Sequence, residues 1–154
     1  MKNWLETVES LVYESRIKVP YTWSVGEVGS RFLIELRDHK KIYGTRCPKC
    51  NRVYLPPKKT CGQCFSNLHE WVEVGPQGTL ITYTLVHYES SVMPMKPPFA
   101  YGIILLDKAS TGLVHLLDEV KFEDIKTGMK VEAVFKDERT GDIMDIRYFR
   151  PIRQ

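Results

Sequence analysis

Hydrophobic and polar positions alternate along several short segments in the second half of the chain. In residues 79–87, for example, Ile81, Tyr83 and Leu85 fall on one face. An alternation of period two is typical of β-strands that bury one face. The same alternation recurs at residues 131–135 and 144–148, while the apolar segments 101–106 and 113–117 flank a predicted hairpin turn at 108–112. A short helical turn is predicted at 122–126. Five short strands in this order predict a small closed antiparallel barrel of the OB type, with an SH3-like barrel as the alternative.

The first forty residues have helical periodicity instead. Residues 3–16 predict an amphipathic helix with Trp4, Val8, Leu11 and Val12 on one face. Residues 19–29 contain a proline and two glycines and predict a loop, after which Ser30 is expected to cap a second short helix. The predicted fold class is therefore mainly β, with N-terminal helices (1–40), a metal ribbon (41–74) and a five-stranded OB-fold barrel (75–154).

The segment from Ser90 to Phe99 interrupts the strand pattern with three prolines and two methionines. Proline removes backbone donors, so this segment is not expected to form a central strand. Its apolar side chains predict either a contact surface for a ligand or protein, or a loop that folds back on the barrel.

The cysteines give the most specific chemical signal. Cys47 and Cys50 form one CxxC pair, Cys61 and Cys64 form another, and the chain has no other cysteine. Two such turns supply four thiolates to one tetrahedral metal ion, for which zinc is preferred and iron is an alternative. Four protein ligands leave no open position for water or substrate, so we expect a structural metal. A disulfide within either CxxC pair would join cysteines only three residues apart and would add little to the stability of the fold.

Composition and charge exclude few functions. The 154 residues carry a formal charge of +3, and the mean hydropathy is −0.27. No apolar run approaches the ~20 residues that a membrane helix needs, and residues 1–10 do not resemble a signal peptide. We therefore expect a cytoplasmic protein without a membrane partner. A net charge this small does not by itself indicate nucleic-acid binding.

An ordered set of motifs resembles the DUF35 family. It comprises Arg46–Cys50, Tyr54–Pro57, Cys61–Cys64, Gly78–Thr84, Pro97–Ala100, Gly128–Val131 and Phe149–Pro151. The resemblance implies N-terminal helices, a rubredoxin-like zinc ribbon and an acyl-CoA-associated OB-fold. It also implies an accessory subunit that bridges the subunits of a thiolase-type acyl-CoA enzyme, or in some cases of a hotdog-fold enoyl-CoA hydratase, and that holds part of coenzyme A (CoA).

The sequence itself does not favour catalysis by this chain. Thiolase chemistry needs a free nucleophilic thiolate, and a four-cysteine metal site uses every cysteine. No phosphate-binding glycine motif is present. The remaining candidates for acid–base chemistry are single histidines without a recognisable partner: His39, His69, His87 and His115.

Binding of CoA would require cations for its phosphates and an aromatic face for its adenine. The candidates are Lys96, Phe99, Arg147, Tyr148 and Arg150. Two other functions fit the same modules. One is nucleic-acid binding through the basic residues of 40–59, which the acidic residues of the later segments make less favourable. The other is a pure assembly scaffold without a ligand of its own.

Overall fold

The computed structural model describes residues 22–91 and 93–152. One helix, α1 (Gly26–His39), precedes a three-stranded antiparallel sheet with the strand order β2-β1-β3. This sheet contains β1 (Ile42–Arg46), β2 (Val53–Tyr54) and β3 (Glu70–Gly75). Five further strands follow: β4 (Gln77–Val86), β5 (Phe99–Leu106), β6 (Leu113–Leu117), β7 (Lys130–Phe135) and β8 (Ile146–Pro151). Within the described ranges, no helix is long and apolar enough to cross a membrane.

The five later strands close into a barrel in the order β4-β5-β6-β8-β7, and β7 returns to β4. All neighbours are antiparallel except β6 and β8, which meet at Leu117 and Phe149. This arrangement confirms the predicted five-stranded OB-type barrel. The last strand begins two residues later than predicted, because a 3-10 turn capped by Asp142 occupies Ile143–Asp145.

The start of α1 differs from the sequence expectation. The prediction placed residues 19–29 in a loop and made Ser30 the cap, but the helix begins at Gly26 and Ser30 lies inside it. The Gly26 N–H donates to the Ser24 hydroxyl (3.1 Å) just before the first turn. At Gly29 a methyl group would lie 3.2 Å from Val25 Cβ, so the glycine lets that side chain pack closely on the helix. The predicted helix at 3–16 lies outside the described residues.

One apolar core extends through all three parts of the molecule. It joins Leu36 of α1 and Ile42 of β1 to Leu80, Ile104 and Phe149 of the barrel. The β5–β6 hairpin also binds β2 through polar contacts. Its Ser110 hydroxyl accepts from the Val53 N–H (3.0 Å), and its Thr111 hydroxyl accepts from the Leu55 N–H (2.7 Å) and donates to the Leu55 carbonyl (2.9 Å). The predicted boundaries at residues 41 and 75 stay predictions of where the units divide.

A buried carboxylate organises the turn between β7 and β8. Asp145, only 2% exposed, accepts the backbone N–H groups of Thr140 (2.9 Å), Gly141 (2.8 Å) and Asp142 (3.2 Å). Burial opposes ionisation of Asp145, but these three donors outweigh it and lower the pKa of the carboxyl below its ordinary value. The same turn binds α1, because the Arg139 side chain donates to the Arg37 carbonyl (2.6 Å).

We expect Asp145→Asn to destabilise the protein by about 2 kcal/mol at neutral pH, since charge-assisted hydrogen bonds are lost and an NH2 group meets backbone donors. The lowered pKa means that ionised Asp145 stabilises the folded state above the unfolded pKa of about 4. This contribution disappears as the pH falls through the folded pKa. In urea denaturation, the difference in unfolding free energy between wild type and Asp145→Asn should be smaller at pH 3 than at pH 7. The exposed control Asp137→Asn should not show this change. An equal difference at both pH values would contradict the assignment.

Candidate functional site

Two similar backbone turns position the four cysteines. In the first turn the Asn51 N–H donates to the Cys47 carbonyl (2.9 Å), and in the second the Phe65 N–H donates to the Cys61 carbonyl (3.1 Å). Each turn closes with the N–H of its first cysteine bonded to a carbonyl five residues later, Arg52 in one and Ser66 in the other. The repeated pattern is that of paired knuckles, each of which directs two sulfurs to one side.

The left-handed conformation falls at the same position in both turns. It is Asn51 in the first (φ 58°) and Phe65 in the second (φ 52°), one position after the second cysteine. Asparagine tolerates this region. In the second turn the positive φ falls on Phe65 and not on Gly62, although glycine would accept it more readily. The Phe65 side chain is 81% exposed.

The geometry of the sulfurs fits a single metal ion. All four Sγ atoms lie within 4.8 Å of one another, and those of Cys50 and Cys61 are 3.8 Å apart. Thiolates about 2.3 Å from a tetrahedral zinc ion would be separated by about 3.8 Å. Cys47 and Cys61 are fully buried, while Cys50 and Cys64 are half-buried. The structure thus brings together all four predicted ligands.

The electrostatics of the cluster also favour a bound cation. The Tyr54 hydroxyl, 3.2 Å from Cys61 Sγ, is the largest influence that lowers the pKa of this thiol to about 6. The Ser66 hydroxyl, 3.3 Å from Cys47 Sγ, likewise lowers the pKa of Cys47. By contrast, contact with Cys50 raises the pKa of Cys64 to about 12. Thiolates this close repel one another, and a bound cation would offset that repulsion.

The spacing of the cysteines does not indicate that Tyr54 and Ser66 lie next to the sulfurs, so the sequence alone did not identify these contacts. Tyr54 lies on β2 and is buried against Cys47, Cys61 and Leu68. It comes near the metal site because β2 pairs with β1, whose last residue precedes Cys47. Only the strand pairing, which the CxxC pattern does not encode, identifies this contact.

We expect Tyr54→Phe to weaken metal binding by 10- to 100-fold, roughly the effect of removing an outer partner of a metal ligand. Competition with a chromophoric chelator measures the affinity. Tyr43→Phe is the matched control, because the Tyr43 hydroxyl contacts Glu73 (3.5 Å) and Lys41 on the ribbon surface rather than a cysteine. If both variants bind metal equally well, the Tyr54 hydroxyl does not support the site.

The structure places four of the five CoA candidates in one connected region. Phe99 and Tyr148 belong to the same apolar cluster, and the Arg147 guanidinium lies 5.6 Å from the Tyr148 ring centre. The Tyr148 hydroxyl donates to Glu119 (2.6 Å), which also pairs with Arg150 (3.5 Å). Lys96 is exposed in the proline-containing segment before β5.

Two of these residues are already engaged within the chain. Phe99 is only 3% exposed, and its ring packs edge-on against Tyr101 at 5.3 Å. Arg150 pairs with Glu132 (2.9 Å) across the β7–β8 ladder as well as with Glu119, so two carboxylates surround its guanidinium. Glu119, Glu132 and Arg150 line an open cavity of about 330 Å³. Lys96 and Arg147 are the more exposed cations of the predicted set.

The histidines lie apart from one another. His115 is buried in the barrel, where its Nε2 lies 3.3 Å from the Ile143 carbonyl and its ring packs edge-on against Phe149. Burial lowers the pKa of His115. His39 pairs with Glu35 one helical turn away (2.8 Å), and His69 and His87 are exposed. The structure does not bring any of them to the cysteine cluster's sulfurs as a further ligand.

These features define a protein with a four-cysteine ribbon fused to an OB barrel. Two family models of this type match the sequence: a rubredoxin-like zinc ribbon domain of ChsH2 at residues 35–69 and the C-terminal OB-fold domain of ChsH2 at residues 71–136.

The chain belongs to the DUF35 family. It is 30% identical over 122 residues to a DUF35 domain-containing scaffold protein of Methanocaldococcus jannaschii, a match that covers 76% of this chain and 86% of the relative. A relative with the same description from Pyrococcus furiosus is 29% identical over 127 residues, with coverage of 80% and 92%.

Two solved structures share the fold. A chain of an Ltp2–ChsH2(DUF35) aldolase superposes with a TM-score of 0.62 at 21% identity, covering 84% of this chain and 98% of the other. A DUF35 protein of unknown function from Sulfolobus solfataricus superposes with a TM-score of 0.59 at 21% identity, covering 82% and 84%. The predicted family and fold class are thus confirmed.

Proposed function

We propose that this chain is a non-catalytic, zinc-binding accessory subunit that bridges the subunits of a thiolase-type acyl-CoA enzyme and contributes to its CoA site. The observation that carries the proposal is the convergence of all four cysteines in one closed cluster. A chain whose every thiol is a metal ligand has no nucleophilic thiolate for acyl transfer. The nucleophile must then come from another subunit.

The comparisons support the accessory role. Two relatives carry the description of scaffold protein, and a chain with the same fold occurs in an aldolase named for two components, Ltp2 and ChsH2. A thiolase-like partner is therefore our first choice, and a hotdog-fold hydratase is the second partner to test. The cytoplasm, which keeps thiols reduced, is the expected compartment for a ribbon of this kind.

Zinc fits the role of the ribbon. Cys47, Cys50, Cys61 and Cys64 would hold it, and bound zinc would supply a rigid crosslink between the two knuckles rather than a Lewis acid with a free position. The knuckles carry exposed side chains such as Phe65, so a rigid ribbon presents them in fixed positions.

The CoA contribution rests on residues that remain accessible. Lys96 and Arg147 are exposed cations, and Arg147 lies against the Tyr148 ring, whose hydroxyl is held by Glu119. Arg150 would have to leave Glu119 and Glu132 before it could bind a phosphate. Calorimetric titration of CoA into the free chain and into the assembled complex tests this part: binding by the complex that exceeds the sum of its separate components supports a shared site, and binding equal to that sum contradicts it.

The accessory role is tested by affinity capture of the full chain from its native host in chelator-free buffer, with mass spectrometry of the proteins that co-elute. We expect a thiolase-like or hydratase-like subunit in stoichiometric amount. Nuclease-sensitive nucleic acid in the eluate without such an enzyme would contradict the proposal. The same capture with Cys61→Ser as bait shows whether partner binding needs the metal-bound ribbon.

A further inference from the structure

Strand β2 and the residue that follows it lie between the cysteine cluster and the barrel. Side chains alternate in direction along a strand. Tyr54 is accordingly buried with the cysteines, whereas Val53 and Leu55 are buried in the core that the ribbon shares with the barrel. Each of the three residues is at most 5% exposed. A shift of this segment would therefore disturb both the cysteine cluster and the barrel core.

The turn between β5 and β6 holds the residues on either side of Tyr54. The Val53 N–H donates to the Ser110 hydroxyl (3.0 Å), and the Ser110 N–H donates to the Val53 carbonyl (2.8 Å). The Leu55 N–H donates to the Thr111 hydroxyl (2.7 Å), which itself donates to the Leu55 carbonyl (2.9 Å). These hydrogen bonds from the barrel fix the backbone before and after Tyr54.

The same contacts hold the hairpin tip, which we define as residues 107–112. The last paired residues of the β5–β6 ladder are Ile104 and Leu113, so the tip extends beyond the ladder. The Ala109 N–H closes the turn on the Leu106 carbonyl (2.9 Å), and the next two residues bond to β2. Four of the six residues of the tip are exposed. An exposed turn beyond the end of a ladder is among the parts of a fold that open most readily.

Tyr54 connects this contact to the metal site, because its hydroxyl lies 3.2 Å from Cys61 Sγ. Its partner on β1 is the fully buried Thr45. The Thr45 hydroxyl accepts from the Lys58 N–H (2.9 Å) and donates to the Lys58 carbonyl (2.9 Å). The barrel therefore holds the start of segment 53–58, and β1 holds its end. An outer partner orients a metal ligand well only when it is itself held in place.

We propose that the hairpin tip of the barrel is part of the outer support of the metal site, with Ser110 and Thr111 as positioning residues that act through Tyr54. Metal binding in the ribbon and closure of the tip on β2 are then coupled, and such coupling is reciprocal. Bound metal keeps the tip closed, and a closed tip increases the affinity for metal. The coupling lies within this chain, so it does not depend on the proposed accessory function.

Hydrogen exchange of single amides, measured by NMR on the full chain, tests the effect of metal on the tip. The readout is the Ser110 amide, which belongs to the barrel side of the contact. The reference is the Leu80 amide, which donates to the Met129 carbonyl (3.0 Å) within the barrel. On removal of zinc with a chelator, we expect exchange to become about tenfold faster or more at Ser110 and to change by less than about twofold at Leu80. Unchanged exchange at Ser110, or an equal increase at both amides, would contradict the coupling.

Zinc affinity, measured by competition with a chromophoric chelator, tests the effect of the tip on the metal. Thr111→Val keeps the β-branched shape but loses the hydroxyl, and we expect it to weaken zinc binding by about five- to tenfold, because its hydrogen bonds to β2 form only in the closed state. Ser110→Ala, at an exposed residue, should weaken binding in the same direction. Thr111→Ser keeps the hydroxyl and should bind zinc as wild type does. Thr84→Val is the matched control, since Thr84 is exposed on β4 and pairs with Tyr101 at the opposite end of β5.

A double-mutant cycle distinguishes positioning from general stabilisation of the ribbon. If Thr111 acts through the Tyr54 hydroxyl, Thr111→Val should weaken the zinc binding of Tyr54→Phe by less than about twofold. An equal loss in the wild-type and Tyr54→Phe backgrounds would show that Thr111 acts by another route and would overturn the assignment. Zinc binding by Thr111→Val as tight as that of Thr84→Val would overturn it as well.

Discussion

Removal of the metal should unfold the two knuckles while the barrel stays folded. The knuckle region has only a small buried cluster, in which Tyr54 and Leu68 are the only members besides the cysteines. Metal ligation in small zinc domains supplies on the order of 10 kcal/mol, which this cluster cannot replace. The flanking strands β1 and β3 differ, because Ile42 and Val74 belong to the core shared with the barrel.

Limited trypsin digestion locates the unfolding. Lys49, Arg52, Lys58 and Lys59 all lie between the first and last residues of the knuckle region, so cleavage there reports its opening. We expect chelator-treated protein to be cut at these sites roughly 100-fold faster or more, since the open form becomes highly populated. Zinc added back should restore protection, and calcium should not, because thiolates prefer the softer ion.

The variant Cys61→Ser completes the metal test. It should bind no stoichiometric zinc and should remain sensitive to trypsin even after zinc is added. Far-UV circular dichroism should retain the barrel signal in both preparations. Identical cleavage of the metal-loaded and metal-free wild-type chain would contradict a structural metal.

A methyl group at Gly78 should strongly destabilise the barrel. Gly78 pairs with Leu106 on β5 and with Val131 on β7, where β4 enters the closed sheet. An added Cβ would lie 2.5 Å from the Leu105 carbonyl oxygen and 2.8 Å from the Leu106 Cα. Both atoms belong to the backbone, so relief requires the strands to move apart. We expect Gly78→Ala to cost about 3 kcal/mol or more.

Thermal unfolding of the metal-loaded protein measures this cost. The expected fall in Tm is about 6–12 °C, from roughly 2–4 °C per kcal/mol for a chain of this size. Gly62→Ala is the matched control, since a Cβ at Gly62 would meet no atom within 4 Å and the backbone there is not left-handed. The control should change stability by no more than about 0.5 kcal/mol. Equal Tm values for the two variants would contradict this prediction, because they would show that a Cβ at residue 78 does not force the strands apart.

The barrel and the metal ligands could be predicted from the sequence because both leave local signals. Strand alternation is visible within single segments such as 131–135, and each CxxC pair lies on one tight turn. The number and length of the strands favoured an OB-type barrel, whereas their spatial order, with β8 between β6 and β7, comes from the structure. The predicted start of α1 was wrong because Gly26 and Gly29 were interpreted as loop residues. In the folded chain both lie in the helix, and Gly29 makes room for the Val25 side chain.

The surroundings of the candidate ligand residues depend on tertiary contacts and were not predictable. Arg150 resembles a free cation in the sequence, but Glu132 comes opposite it only through the β7–β8 register. Phe99 resembles an available aromatic face, but Val86 and Leu116 bury it from neighbouring strands.

The accessory role itself is tested most directly by reconstitution. The catalytic subunit recovered by affinity capture is assayed for acyl-CoA turnover alone, with the metal-loaded wild-type chain, and with Cys61→Ser, which disrupts the four-cysteine cluster. We expect the chain alone to have no activity, the wild-type complex to exceed the catalytic subunit alone, and Cys61→Ser to restore less activity than wild type at equal concentration. Turnover by the purified chain on its own, or a catalytic subunit whose activity and stability are indifferent to the chain, would contradict the account.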